Sequence, residues 1–180
     1  MAMPTKAQIF EYWMDWLDKK EFDWGEPCCW ACKRHFGAKF DLEKPQSTRE
    51  EIIKNWNSVP LQRCHIIPRQ FGGEDTPSNL FLMCKSCHDK APNTKSHEIF
   101  LNWAEKQNFT LDLKENFMRE LRTFELSDRI DDVNKILENK ELMKQIYSSS
   151  GLHMNQVRGG VEITISSIVG QIAEELKRQD

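Results

Sequence analysis

No run of eighteen or more apolar residues occurs anywhere in the chain, so nothing in it has the length to cross a bilayer as a helix. The opening residues "MAMPTKAQIF" lack a basic stretch followed by an apolar one, so they do not read as a secretory signal. There is no internal repeat and no low-complexity tract, which sets aside solenoids and disordered tails. Positive charge is also in short supply: the formal net charge is -3. A broadly basic nucleic-acid coat is excluded.

The charge is unevenly spread, however. Residues 1–27 carry a net -3, residues 28–97 a net +4 and residues 98–180 a net -4. The one basic segment also holds all six cysteines and four of the five histidines. Such a local field attracts phosphates whatever the total charge. With 39% hydrophobic residues and six Trp, 180 residues suffice for one domain, or for a small domain with a helical extension. The expected setting is cytoplasmic, in a bacterial or phage-encoded protein, where cysteine pairs hold metal more often than they form disulfides.

Apolar spacing predicts an amphipathic helix over 6–19, with Ile9, Phe10, Trp13, Trp16 and Leu17 on its inner face. The stretch 26–46 is turn-rich, broken by Pro27, Gly37 and Pro45. "STREEIIKNW" reads as a short helix over roughly 48–56 behind a Ser47/Thr48 cap. "LQRCHIIP" and "LFLMC" read as two short strands around a loop broken by Gly72-Gly73 and Pro77, and "KSCHDKA" as the start of a helix. From residue 98 on, the chain is expected to form a separate helical region, with caps at Ser96 and Ser127. "SSSGLHMNQVRGG" is expected to be a mobile loop.

Two CxxC pairs stand out: Cys29-Trp-Ala-Cys32 and Cys84-Lys-Ser-Cys87. Each supplies two thiolates from one turn, and two such knuckles complete a tetrahedral zinc site. Cys28 is an alternative to Cys29 as the first ligand, and a redox role for either pair is a competing reading. The 51 residues from Lys33 through Met83 form a long insert whose ends the metal would pin, so chemistry is expected within it.

The insert and its flanks read "CHIIPRQFGGEDTPSNLFLMCKSCH", preceded by "CCWAC". This order of elements resembles the HNH nucleases: a histidine before I-I-P, a glycine-containing loop, N-L entering a second strand, then C-x-x-C-H opening a helix. The resemblance spans residues 28–90 and implies an α+β fold, a ββα-metal core with zinc knuckles flanked by an N-terminal helix and a mostly helical C-terminal region. The domains would be 1–97 and 98–180, the second a dimerisation or partner-binding region. By the resemblance His65 is the general base, Asn79 positions the loop or base or touches the metal, and His88 is a metal ligand. The implied partner is DNA, with structural Zn2+ and catalytic Mg2+ or Mn2+. A homodimer would bring two single-metal sites, enough to cut both strands.

Elementary chemistry points the same way. Hydrolysing a phosphodiester needs a water deprotonated near neutral pH, for which histidine is suited, and a cation to neutralise developing charge. Lys33, Arg34, Arg63, Arg69 and Lys85 are candidate phosphate contacts. Where the family often has Asp or His to help hold the metal, this chain has Cys64, read as a small residue pointing into the core while His65 faces solvent. The metal would then draw on His88, Asn79, Asp75 or Asp89. A zinc-stapled module that binds DNA or protein without cutting is the competing function. His35 is either a DNA contact beside Lys33 and Arg34 or an ordinary surface residue, and His97 and His153 carry no assigned chemistry.

Overall fold

The computed structural model describes residues 2–36, 48–150, 154–157 and 160–179. The chain divides into two compact units, Met1–Phe109 and Thr110–Asp180.

Unit one starts with α1, Lys6–Lys19, whose Thr5 hydroxyl accepts from Gln8 N while the Gln8 side chain reaches back to Thr5 N. Thr48 and Glu51 form the same reciprocal cap on α2, Arg49–Ser58. Ser47, Gly37 and Pro45 lie outside the described residues. The strands β1, Gln62–His65, and β2, Leu80–Met83, pair antiparallel with Cys64 opposite Phe81 and His65 opposite Leu80. Between them lie two 3-10 turns, Arg69–Phe71 and Pro77–Asn79. Then come α3, Lys85–Lys90, and α4, His97–Glu105, the latter capped by the Ser96 hydroxyl.

All four residues of β2 are buried, so both faces of this strand are covered. Phe81 is the hub of an aromatic cluster, with ring centroids 5.1 Å from Trp30, 5.4 Å from Trp16 and 5.6 Å from Trp13 and from Phe100. All four of these contacts are edge-to-face, the arrangement ring quadrupoles favour. Buried Trp13 keeps its indole N–H satisfied by Pro77 O at 2.9 Å and Leu80 O at 3.0 Å, which ties α1 to the hairpin. Phe100 and Ala104 of α4 are buried in this same core, which is why the first unit runs past residue 97 to Phe109.

Unit two has its own core, built on Leu121, Val133, Ile136, Ile146, Val169 and Ile172. Its helices are α5, Phe109–Thr123 (which begins on the last residue of unit one), α6, Ile130–Glu138, α7, Lys140–Ser150, and α8, Ile165–Gln179. Three features differ from the sequence reading. Ser127 opens a 3-10 turn and makes no side-chain cap, so α6 starts three residues later. The apolar spacing of 127–150 reads as one helix, but the stretch is interrupted at Asn139, whose Oδ1 accepts from Leu142 N at 3.1 Å and starts a new helix. Finally, the segment expected to be a loop contains β3, Met154–Val157, paired antiparallel with β4, Gly160–Ile163, and its first serines belong to α7. The period-two pattern Val161-Glu162-Ile163-Thr164 was hidden by polar neighbours. His153 lies outside the described residues, and no described helix is long and apolar enough to cross a membrane.

Candidate metal centre and cleft

The two CxxC knuckles meet. The sulfurs of Cys29, Cys32, Cys84 and Cys87 all lie within 4.8 Å of one another, and all four residues are buried. A tetrahedron with Zn–S bonds of about 2.3 Å has sulfurs about 3.8 Å apart, and the Cys32–Cys84 separation is 3.9 Å. None of the cysteines is in a disulfide. The donor set and its spacing therefore fit zinc.

Local backbone explains the convergence. In the first knuckle Lys33 takes the left-handed conformation, φ 61°, and its N–H donates to Cys29 O at 2.9 Å. In the second, Cys84 caps α3, and Cys87 N approaches Cys84 Sγ at 3.5 Å. Trp30 N donates to Leu82 O at 3.0 Å, which joins the first knuckle to the strand that feeds the second. Hydrogen bonding among the clustered sulfurs pushes the Cys84 thiol far below its usual range and the Cys29 thiol far above it, so the four titrate together as one set. Cys28 stands outside the cluster, so Cys29 is the residue of the tetrad.

Pinning Cys84 and Cys87 also places the helix turn that carries His88. His65 from the end of β1 and His88 from α3 line one surface cleft of about 380 Å3, together with Cys64, Arg69, Pro92 and Asn93. Cys64 is buried, as its strand register requires, and burial raises its thiol to about 11, so it is neutral at ordinary pH. His65 is less open than expected, its side chain only 19% exposed, because Asp75 folds over it.

Asp75 is the residue whose role the sequence hid. His65 Nε2 lies 2.8 Å from Asp75 Oδ1, and Arg69 grips the same carboxylate in two places, Nε to Oδ1 at 2.9 Å and Nη2 to Oδ2 at 2.6 Å. Arg69 first, then His65, hold the Asp75 carboxyl down at about 2. An ionised carboxylate only accepts, so the ring nitrogen facing it is the N–H and Nδ1 is left as the basic nitrogen. A ten-residue separation across a loop gives no periodic signal; only the loop's fold brings the two together.

That loop is held by Asn79, which is buried. Its Oδ1 accepts from Ile67 N at 2.9 Å, and its Nδ2 donates to Ile67 O and to Glu74 O, both at 3.0 Å. Every bond of the amide thus goes to backbone on either side of the turn. Gly73 completes the fit: a Cβ there would stand 1.7 Å from Ile67 O.

His88 is 37% exposed, and its Nδ1 lies 3.7 Å from Asp89, which pairs with Lys85. The other candidate phosphate contacts are engaged within the unit. Arg34 stacks over Phe36 and Phe109 at 5.0 Å, Lys33 over Phe22 at 5.3 Å, and Arg63 donates to Pro4 O at 2.9 Å. His35 lies 3.2 Å from Glu26, and His97 is the first residue of α4.

Residues 50–94 match the family model described as HNH endonuclease. No curated protein and no solved structure gave a match.

Proposed function

Taking residues 50–94 as an HNH endonuclease domain, we propose that the protein is a metal-dependent endonuclease that hydrolyses DNA phosphodiester bonds in the cleft between His65 and His88. The observation that carries this reading is the Arg69–Asp75–His65 chain at the cleft wall. A purely structural histidine has no need of an anionic partner that is itself clamped by an arginine.

His65 is the general base: with Nε2–H held by Asp75, Nδ1 takes the proton of the attacking water. Asp75 fixes the tautomer and stabilises the imidazolium that results. Asn79 acts as a positioning residue, through the loop rather than on the metal, since its amide is satisfied by backbone. Of the residues lining the cleft, His88 would hold the cation, with water and phosphate oxygens filling the remaining positions. Bound there, magnesium or manganese would supply neutralising charge for the phosphate and the leaving oxygen. The zinc tetrad is structural, holding α3 against the hairpin.

A second reading, a zinc-stapled module that binds without cutting, is favoured by Cys64, which stands neutral and buried where the family often has a metal-holding Asp or His. Supercoiled plasmid separates the two. The expected result is conversion to nicked or linear DNA with Mg2+ or Mn2+, abolished by a chelator that leaves the tight zinc in place. DNA left intact across both metals, in duplex and single-stranded form, would establish the module instead.

A further inference from the structure

The turn Arg69–Phe71 presents its last side chain to solvent: Phe71 is 39% exposed. A lone exposed apolar residue is ordinary, but the setting of this one is not. Its turn is stiff. Phe71 N donates to Pro68 O at 2.8 Å, Gly72 N to Arg69 O at 2.9 Å and Gly73 N to Pro68 O at 3.2 Å. Gly72 adopts φ 87°, and Gly73 is seated against the Ile67 carbonyl, so the chain cannot readily relax to cover the ring.

Lys95 Nζ lies 5.3 Å from the ring centroid, and Arg69, paired with Asp75, stands two residues before it on the cleft wall. That same Arg69 is bonded to Asp75, and Asp75 to His65, so the ring is held in a fixed relation to the base. An exposed ring on a stiff turn with a lysine over it is complementary to a polyanion with stacked π-faces between its phosphates. A protein partner would seek an apolar surround, and the neighbours Arg69, Gln70, Gly72, Gly73 and Glu74 provide none.

We propose that Phe71 is a wedge that enters a base step beside the cut phosphate and partly unstacks the duplex. This rests on the nuclease reading and deepens it: the preferred cut positions are steps that unstack easily, the pyrimidine–purine steps TA and CA/TG. Lys95 meets a flanking phosphate while the ring replaces part of the lost base stacking.

The test uses permanganate, which oxidises unstacked thymines, on an end-labelled duplex bound by the full chain carrying His65→Ala so that the DNA stays uncut. Thymines are expected to become reactive at bound positions with Phe71 present and to remain so with Phe71→Trp. With Phe71→Ala the reactivity is lost, and binding weakens about tenfold, the worth of one aromatic–base stack. Phe71→Ala should keep its zinc and melting temperature, since Phe71 is no part of the buried core. Bound DNA with equal thymine reactivity in all three proteins overturns the wedge and leaves the nuclease reading standing. Failure of all three to bind DNA overturns both.

Discussion

At the residue scale, the proposed catalysis turns on one hydrogen bond, His65 Nε2 to Asp75 Oδ1 at 2.8 Å. Asp75→Asn removes the charge and leaves either tautomer of His65 available. Cleavage should slow about 10- to 100-fold, as for losses of ligand-orienting partners elsewhere. The loss should fall on kcat rather than KM and reshape the pH–rate profile, which a merely structural role would not do. The depressed carboxyl at about 2 also fixes a sign for stability. A carboxyl lowered by folding stabilises fully above its unfolded value of about 3.9 and ceases to as pH falls through its folded value. Melting temperatures taken from about pH 6 down to about pH 2 should therefore fall more steeply for wild type than for Asp75→Asn between about pH 4 and 2. Parallel curves would mean that the pairing contributes nothing. The place of His65 at the end of a strand was legible from "CHIIP", because a histidine before that turn stands in a recognisable order of elements. Asp75 was legible only as a spare oxygen, since nothing local says which way a loop carboxylate turns.

At the element scale, the hairpin β1–β2 with its intervening loop is what the site stands on. Asn79→Ala leaves two carbonyls and one N–H without the amide that served them. At about 1 kcal/mol or more per buried bond, the expected loss is about 3 kcal/mol, read by denaturant unfolding. A loss under about 1 kcal/mol would show that water replaces the amide. Phe81→Ala, at the centre of the aromatic cluster, should cost about 3–5 kcal/mol. The strands, α1, α2 and the capping Thr48 were readable because periodicity and caps are local. The β3–β4 pairing and the break at Asn139 were not. The first has few apolar residues to mark its period, and the second is a cap placed inside a continuous apolar pattern. Asn79 stood out in the sequence at the entry to the second strand, but its bonds to Ile67 and Glu74 emerge only once the loop closes around it.

At the scale of the whole molecule, two cores that share no residue imply two units that fold by themselves. Residues 1–109 alone should keep the zinc and a cooperative unfolding transition, monitored by metal content and calorimetry; an unfolded fragment would show that unit one leans on the rest. Zinc is expected at about one per chain, for the four-cysteine tetrahedron. Cys84→Ser should lose it, and Cys28→Ser should keep it because Cys28 stands outside the tetrad. The tetrad was the most legible feature of the sequence, since two CxxC pairs announce it even across 51 intervening residues. The extent of the first unit was not, because the burial of Phe100 and Ala104 is a matter of packing that no boundary composition signals.

Central to the proposed mechanism is proton abstraction by His65 in a zinc-stapled cleft. The most direct measurement is the rate of supercoiled-plasmid cleavage by wild type and by His65→Ala, at equal zinc content and in saturating Mn2+. Loss of the base should slow cleavage by about a hundredfold or more. Equal rates in the two proteins would contradict the assignment outright.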